Sequence, residues 1–380
     1  MESERKLLGY KKIQYTKIID QTQSALDDPL LKAAGPPDPS KGEENVVTTL
    51  EKKLKSMKES LANLNVRLNE LGGTLGFNSL LIADKRKKIT NIIDDSENGT
   101  QTLIGEARLE VRKTIYTQIV AFSKAPELYI NRFNNYALMG GAGTGKTKLA
   151  GVLGNFFYNL GLLNTSKVII VTRADLVGKY VGQTAPLTRK YLEGTLEGVL
   201  FIDEAYQLSG CPDKQGNFSS QDFGQEAITE IVNYIDKHIG LSVIIAAGYE
   251  DKIVDCFLSI NEGMKRRFPN NLRLLDYTSK DLSLILYYNI EKMFDKQILT
   301  QSQMDYIDKV IKRLNEMTYA TPNATPNAKL FINQAGDMLN LSNIIVQDLI
   351  LNQKKGYKIP NINNTFTKFF LNKGYQVTIK

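Results

Sequence analysis

Residues 140–147, GGAGTGKT, place one lysine and one threonine after a glycine-rich run. Glycines let backbone N–H groups wrap around phosphate oxygens, and the helix that follows adds positive potential. The spacing predicts a nucleotide-phosphate loop in which Lys146 reaches the β- and γ-phosphates and the Thr147 hydroxyl binds Mg²⁺. The alternative is a glycine-rich turn that binds no nucleotide. The predicted nucleotide contacts are Gly141, Ala142, Gly143, Thr144, Gly145, Lys146, Thr147 and Lys148.

Two adjacent acids close the apolar run VLFIDEA, residues 199–205. Four consecutive apolar residues predict a buried strand, and its end presents Asp203 and Glu204. Asp203 is the candidate partner of Mg²⁺, and Glu204 is the candidate group that polarises the attacking water. The alternative is a pair of acids that caps the next helix. Together with a phosphate loop, this pair of acids predicts that the protein hydrolyses the nucleotide and does not only bind it.

The stretch KYVGQT, residues 179–184, places Tyr180 between Gly178 and Gly182. Two interpretations are open. The tyrosine packs into a turn, or it is presented outward to grip another molecule, with a glycine as a mobile hinge on each side.

Residues 262–268, EGMKRRF, carry the adjacent Arg266 and Arg267. In a single chain they form a solvated basic turn. In a ring of subunits, an arginine at this place reaches a neighbour's γ-phosphate and stabilises the charge of the transition state.

The elements that must position these residues are short, continuous apolar runs separated by helical patterns. Continuous apolarity predicts strands buried on both faces, and therefore a parallel sheet covered by helices. We assign 103–277 to this nucleotide-binding unit and 278–380, where helical patterns dominate, to a helical domain with a C-terminal extension. The predicted strands are 136–140, 167–172, 198–204, 241–249 and 270–277.

The N-terminal part of the chain has a different pattern. Residues 1–45 are expected to be poorly ordered and to end in the linker GPPDPSKGEEN. Residues 46–94 are expected to be helical, with a heptad seam that ends at Gly72-Gly73. The seam either forms a hairpin with a helix over 79–94 or pairs with another chain. Its members are Val47, Leu50, Leu54, Met57, Leu61, Leu64, Leu68 and Leu71.

Composition limits the remaining classes of function. The 380 residues carry a net charge of +7, spread along the chain, so nucleic-acid binding is unlikely. Cys211 and Cys256 lack metal-type or redox-type spacing and are expected to be reduced, and one histidine cannot anchor a zinc site. The N-terminus is too charged for a signal peptide, and no apolar run reaches membrane-spanning length. We therefore expect a soluble cytoplasmic protein with no membrane partner.

The motifs, in this order, resemble those of the AAA+ ATPases, and most closely the CbbX (CfxQ) branch, which includes red-type Rubisco activases and the stage V sporulation protein K group. The resemblance covers roughly residues 103–340. The stretches that carry it are DLVGKYVGQTAPLTRKYLEGTLEGVLFIDEAYQL (175–208), DFGQEAITEIV (222–232), VIIAAGYED (243–251) and GMKRRFPNNLRLLDYTSKDL (263–282). The fold that it implies is an α/β protein: a P-loop αβα sandwich with a five-stranded parallel sheet of order 5-1-4-3-2, a C-terminal helical lid and an N-terminal helical or coiled-coil extension.

The resemblance also implies roles for individual residues. The family assembles as hexameric rings with ATP between subunits, which makes Arg267 the expected trans-acting finger and Arg266 its neighbour. Ile104 and Gly105 match the start of the large domain and would line the adenine pocket. Lys329, in PNAKLFINQA (326–335), matches a sensor arginine of the lid. The match to the pore loop that grips polypeptide comprises Tyr180, Val181 and Gly182.

Some residues depart from the pattern of the family. The phosphate loop has Gly-Ala-Gly where the branch usually has a proline. Tyr249 stands where many AAA+ proteins carry a polar sensor asparagine, as it does throughout the branch. Lysine at 329 keeps the charge of the sensor arginine but loses its bidentate fork, which puts the coupling between ATP state and lid movement in question.

These observations predict an Mg-ATP hydrolase, and three functions are compatible with it. The first is a ring-shaped motor whose pore loops remodel a protein substrate. The second is a motor that acts on nucleic acid, and the third is an ATP-gated scaffold with little turnover, whose N-terminal helices recruit partners.

Overall fold

A computed structural model describes most of the chain. The described residues are 2–27, 46–72, 103–105, 108–124, 132–209, 211, 223–260, 262–294, 299, 301–316, 318–319, 328–329, 334–351 and 369.

Helices outnumber strands in this part of the chain. The helices are α1 (Glu2–Leu26), α2 (Val46–Gly72), α3 (Leu109–Lys124), α4 (Lys146–Asn159), α5 (Arg173–Leu176), α6 (Thr184–Gly194), α7 (Tyr206–Ser209), α8 (Gly224–Lys237), α9 (Glu250–Lys252), α10 (Glu262–Arg267), α11 (Ser279–Phe294), α12 (Gln301–Glu316) and α13 (Gln334–Leu351). The strands are β1 (Tyr136–Gly140), β2 (Val168–Val171), β3 (Val199–Ile202), β4 (Val243–Gly248), β5 (Asn270–Leu274), β6 (Thr318–Tyr319) and β7 (Ala328–Lys329). A π-helical turn, Ile253–Phe257, continues α9. No helix in the described ranges is long and apolar enough to cross a membrane.

The central sheet has five strands in the order β2-β3-β4-β1-β5. Every neighbouring pair in it is parallel. This is the predicted order, 5-1-4-3-2, counted from the opposite edge, and the prediction of an α/β fold is confirmed. Because the strands are parallel, their carboxyl ends lie along one edge, where the phosphate loop follows β1 and the two acids follow β3.

Both faces of the sheet are covered by helices. Along β1, Tyr136 and Leu138 face the layer that contains α3 and α4, whereas Ala137 and Met139 face the layer that contains α8. This alternation follows from the two-residue period of a strand, and it explains why the predicted strands are continuously apolar.

A separate core holds the helical lid together. Leu282, Leu286 and Ile290 of α11 pack with Ile311 of α12 and Leu341 of α13. Ile104, at the predicted start of the large domain, and Tyr277, which follows β5, pack against the same cluster. The predicted lid therefore contacts residues that come before and after the central sheet in the chain.

The N-terminus differs from the expectation of a poorly ordered segment. Glu2–Leu26 is a helix, and it packs against the seam of α2 in the same chain. Tyr15 and Ile18 of α1 and Met57 and Leu64 of α2 form a buried cluster with Leu241, which precedes β4. The apolar residues of α1 are interspersed with about as many charged ones and form only a weak amphipathic pattern, so the order of the helix depends on this packing. The predicted partner helix, 79–94, lies outside the described residues.

Polar contacts also fix the N-terminal helices to the edge opposite the phosphate loop. Glu197, just before β3, accepts hydrogen bonds from Asn164 Nδ2 at 2.7 Å and from Ser60 Oγ at 3.3 Å. Lys53 of α2 pairs with Glu193 at 3.1 Å. Burial raises the pKa of Glu197 to about 7, against the opposing charge of Lys11.

This raised pKa predicts a pH-dependent stability. The folded state holds the Glu197 proton more tightly than the unfolded state, so its contribution to stability falls as pH rises from the ordinary carboxyl range through about 7. The Glu197→Gln substitution should abolish this fall, a difference of up to about 3 kcal/mol between pH 5 and pH 8. Urea unfolding at the two pH values measures it. The exposed Glu110→Gln variant is the control, and equal pH slopes for wild type and Glu197→Gln would contradict the prediction.

The expectation of two reduced cysteines is wrong in this structure. Cys211 and Cys256 form a disulfide, with their Cα atoms 4.5 Å apart. The bond joins the segment after α7 to the π-helical turn after β4. These segments are adjacent because β3 and β4 are neighbours in the sheet, and a separation of 45 residues along the chain gives no sign of it.

Candidate functional site

The phosphate loop connects the end of β1 to the start of α4. Gly143 and Gly145 adopt positive φ angles of 67° and 89°, which favour glycine. A Cβ at Gly140 would lie 2.6 Å from the Leu274 carbonyl oxygen, so β5 leaves no room for a side chain there. The Thr144 hydroxyl donates to the Gly141 carbonyl at 2.9 Å and braces the turn. The glycines are therefore required by the backbone path and not only by composition.

Lys146 begins α4 and folds back over the loop. Its Nζ donates to the carbonyl oxygens of Gly140 at 2.9 Å and Gly141 at 2.8 Å. Burial lowers the pKa of Lys146, and the charges of Glu204 and Asp203 oppose that effect. The lysine thus lies close to both acids, as chemistry at a shared phosphate requires.

The two candidate metal ligands come from neighbouring elements at this edge of the sheet. Thr147 is exposed in the first turn of α4, and Asp203 directly follows β3. A hydroxyl and a carboxylate beside a phosphate loop are oxygen ligands of the kind that Mg²⁺ prefers. The donor set therefore fits a magnesium ion that also binds phosphate. Lys148, the next residue of α4, is exposed.

Glu204 has an unusual backbone conformation. Its φ angle is 49°, in the left-handed region that non-glycine residues rarely adopt. Its N–H donates to Asp203 Oδ1 at 3.1 Å, so the two acids are held in one turn. Its Oε2 atom is buried and has no hydrogen-bond partner in the described ranges. A strained acid with an unused acceptor is suited to receive a proton from water.

Tyr206 lies near Glu204, and Lys252 lies near Tyr206 and Tyr249; of these three, only Tyr249 is singled out by the sequence. Lys252 Nζ lies 4.7 Å from the centre of the Tyr206 ring and 5.4 Å from that of Tyr249. Lys146 Nζ lies 5.8 Å from the Tyr249 ring. Burial, together with the neighbouring Glu204 carboxylate, raises the pKa of Tyr206 to about 12. A tyrosine two positions after the acid is the sequence signal that could have identified it.

Arg108 is a second residue that the motifs do not reveal. Its guanidinium is fully buried and donates to the Thr144 carbonyl in the phosphate loop and, at 2.8 Å, to the Leu275 carbonyl after β5. It also lies 4.1 Å from the centre of the Tyr277 ring. One side chain therefore connects the phosphate loop with the segment that leads into the lid.

The lid contacts the phosphate loop through the start of α13. The Ala335 N–H donates to the Gly143 carbonyl at 3.2 Å. Gln334 donates to Asp276 Oδ1 at 2.6 Å and accepts from the Tyr277 N–H at 2.7 Å. The expected sensor of the lid, Lys329, lies in the short strand β7, and its side chain is outside the described part. Among the side chains that the structure describes, Gln334 of the lid therefore contacts the large domain next to the phosphate loop.

Ile104 and Gly105 also lie at the junction with the lid. Ile104 packs against the lid core, and Gly105 has a φ angle of 95°. The Gly105 carbonyl accepts a hydrogen bond from Arg112 Nη2 at 3.1 Å, and a side chain at 105 would collide with Asp281 of α11. Both residues therefore lie at the junction between the lid and the large domain, and the resemblance predicts a nucleotide base next to them.

The two arginines of α10 have different environments. Arg267 is buried and forms a two-pronged ion pair with Asp236 of α8, with Nε 2.9 Å from Oδ1. Its Nη1 donates to the Gly263 carbonyl at 2.9 Å. Arg266 is exposed. Within one chain, Arg267 therefore braces α10 against α8, whereas Arg266 faces the surroundings.

The KYVGQT segment connects α5 to α6 and presents two apolar side chains. Tyr180 is 70% exposed and Val181 is 83% exposed. Gly182 has a φ angle of 82°, and a Cβ built there would meet no described atom within 4 Å. Gly178 differs from the hinge expected for it, because a Cβ there would lie 2.5 Å from Gln183 Cβ. The loop is therefore closed tightly at its base and presents its tip outward.

The chain is similar in sequence to a family of ATPases and to several known proteins. The sequence model of the AAA family, "ATPase family associated with various cellular activities", matches residues 136–272. The chloroplastic ribulose bisphosphate carboxylase/oxygenase activase of Cyanidioschyzon merolae is 31% identical over 248 residues, which are 64% of this chain and 81% of that protein. A CfxQ homolog of Cyanidium caldarium is 31% identical over 248 residues, 64% of this chain and 83% of that protein. Stage V sporulation protein K of Bacillus subtilis is 34% identical over 216 residues, 56% of this chain and 63% of that protein.

Proposed function

The chain belongs to the AAA ATPase family, with relatives of the CbbX/CfxQ type, and from that premise we propose that it is an ATP-driven motor that remodels a protein substrate. Membership of the family means that the chain binds and hydrolyses nucleotide. The finer proposal is that Mg-ATP binds between the subunits of a hexameric ring and that hydrolysis moves a loop at the central pore. In this proposal the substrate is a polypeptide.

In the proposed reaction each residue of the site has a defined task. Lys146 leaves the carbonyls of its own loop and donates to the β- and γ-phosphate oxygens. Thr147 and Asp203 would hold a magnesium ion, which would supply positive charge to neutralise those phosphates. Glu204 accepts a proton from the water that attacks the γ-phosphorus, and the bond from that phosphorus to the ADP oxygen breaks.

The lid contacts supply a route from the nucleotide to the rest of the chain. Gly143 of the phosphate loop contacts the start of α13, and Arg108 contacts both the loop and the Leu275 carbonyl. A shift of the phosphate loop on nucleotide binding therefore acts on lid contacts at two places. This supports a proposal in which ATP state changes the angle between the two units.

The observation that carries the motor proposal is the exposed pair Tyr180 and Val181. Large apolar side chains at the tip of a loop are available to contact another molecule, since no described part of the chain covers them. The loop lies between β2 and β3, and β3 ends in the acids that act on ATP. Because β2 and β3 are neighbours in the sheet, a movement of the acids on hydrolysis can reach the base of this loop through the adjacent strand.

We expect the Tyr180→Ala substitution to leave basal ATPase activity largely unchanged and to abolish stimulation by polypeptide. The reason is that Tyr180 contacts no part of the phosphate site. Steady-state ATP hydrolysis with and without an unfolded protein such as casein measures both quantities. Tyr158→Ala, which removes another exposed tyrosine from α4, is the matched control. Loss of ATP binding in Tyr180→Ala would instead identify the tyrosine as structural.

The same assays separate the other two candidate functions. Near-zero turnover of the wild-type chain despite tight ATP binding would favour an ATP-gated scaffold. Stimulation by DNA that weakens with salt would favour a motor that acts on nucleic acid.

A further inference from the structure

Arg173 connects the segment after β2 with the segment after β3. It is the first residue of α5, and its Nη1 donates to the Gln207 carbonyl of α7 at 2.7 Å. The Leu208 carbonyl, also in α7, lies 3.5 Å from the same nitrogen. Because α7 comes shortly after Asp203 and Glu204 in the chain, this guanidinium contacts the segment that carries the two acids.

The contact between Arg173 and α7 is fixed by its surroundings. Gly224, the first residue of α8, packs so closely that a Cβ there would lie 2.6 Å from Arg173 Nη1 and would overlap the Leu208 carbonyl. The start of α5 is fixed as well, since the N–H and the hydroxyl of Thr172 donate to Asp175 Oδ2 at 2.7 Å and 2.8 Å. The arginine therefore has a defined position between α5, α7 and α8.

The other end of α5 leads into the KYVGQT loop. At the base of the loop, the Gly178 N–H donates to the Thr184 hydroxyl at 3.0 Å. The Thr188 hydroxyl of α6 donates to the Leu176 carbonyl of α5 at 2.9 Å. These bonds join α5, the base of the loop and α6 into one unit, so a displacement of α5 moves the loop.

A second set of contacts joins the same unit to α8. The Ala185 N–H donates to Glu226 at 3.2 Å, and Arg189 Nε lies 2.7 Å from Glu230 Oε1. These contacts reach α8, whereas Arg173 reaches the segment of the acids directly. The ion pair of Arg189 thus provides a comparison for the contact of Arg173.

We propose that Arg173 couples the nucleotide site to the KYVGQT loop, and that its guanidinium transmits a displacement of α7 during the ATP cycle to α5 and then to the loop. The inference rests on the proposed function, because it takes the movement of this loop with ATP state as its premise. Arg173 contacts neither nucleotide nor polypeptide in this assignment. It is a positioning residue whose effect is measured at the loop.

A single tryptophan can report on the loop, because the chain contains none. Lys179→Trp places one beside Tyr180 at an exposed position of the loop. Quenching of its fluorescence by acrylamide is measured on the full chain with ADP and with a non-hydrolysable ATP analogue. We expect the two nucleotides to give different quenching in this reporter chain.

Substitutions at Arg173 in the reporter chain test the coupling. Arg173→Met keeps much of the length of the side chain and removes its donors, so it should abolish the difference between the two nucleotides. The affinity for each nucleotide should stay within about twofold of the reporter chain, since the arginine lies outside the phosphate site. Arg173→Lys keeps a donor and should retain part of the difference. Arg189→Met is the matched control, and it should leave the difference intact.

Three results would overturn the inference. They are an equal difference with and without Arg173→Met, an equal loss in Arg189→Met, and the absence of a difference in the Lys179→Trp chain itself. If Arg173→Met does not fold, Asp175→Ala replaces it, because it removes the acceptor that fixes the start of α5. We expect a smaller difference in that variant, and an unchanged one would contradict the inference.

Stimulation of ATP hydrolysis by casein tests the proposed function separately. A wild-type chain without stimulation would count against a motor that acts on polypeptide. A fluorescence difference that depends on Arg173 would still support the coupling in that case. The failure of the proposed function and the failure of this inference are therefore distinguishable.

Discussion

Replacing Glu204 with glutamine is expected to leave ATP bound and to lower turnover by about 10²–10⁴-fold, the range for loss of a general base. Glutamine has nearly the same shape as glutamate, so the left-handed turn at 204 and the bond from its N–H to Asp203 are kept. What the amide cannot do is accept the proton of the attacking water. Isothermal titration with ATP and a phosphate-release assay measure the two quantities separately.

A neighbouring acid provides the control for this result. Asp203→Asn is expected to weaken the dependence of binding on Mg²⁺, because this carboxylate is assigned to the metal. Glu204→Gln should leave that dependence unchanged. If both variants lose ATP affinity to the same extent, the two acids do not have separate tasks, and the assignment of Glu204 as the base fails.

Much of the fold follows from local sequence patterns. The apolar run at 136–140 coincides with β1, and the runs at 167–172, 198–204 and 241–249 contain β2, β3 and β4. A strand buried on both faces must be apolar throughout, so a short run of consecutive apolar residues is enough to locate it. The phosphate loop can also be recognised from a few consecutive residues. Its glycines are required by positive φ angles and by close contacts within the loop and with β5.

The contacts that the sequence does not reveal join residues far apart in the chain. Arg108 and Leu275 are separated by 167 residues, and Asp236 and Arg267 by 31. The sequence does not distinguish a buried arginine from an exposed one. Its partner can be identified only once the folded sheet brings the two segments together. The packing of α1 on α2 and the pairing of Cys211 with Cys256 belong to the same class. Local periodicity specifies which elements form, whereas these pairings depend on the tertiary arrangement.

The arginines of α10 show how such a contact changes an expectation about function. The resemblance assigns the trans-acting finger to Arg267, but in this structure its guanidinium is buried in a bidentate pair with Asp236. Removing one partner of such a pair leaves the other charge uncompensated, at a cost of about 3–5 kcal/mol for a fully buried pair. Since Asp236 is 42% exposed, the cost here is expected to be smaller. We expect Arg267→Ala to lower the melting temperature, with Asp236→Ala lowering it by a comparable amount.

Arg266 is the exposed arginine of this helix, and in the proposed ring it is the one free to reach a neighbour. We expect Arg266→Ala to keep the wild-type melting temperature and ATP affinity and to lower turnover by about 10³-fold or more, as loss of an arginine finger does. Because a finger acts on the next subunit, mixing Arg266→Ala with Lys146→Ala chains should recover part of the activity. The first supplies an intact phosphate loop and the second an intact finger. The converse result, in which Arg267→Ala is stable, inactive and rescued by Lys146→Ala chains, would return the finger to Arg267 and make its pair with Asp236 a contact that opens on assembly.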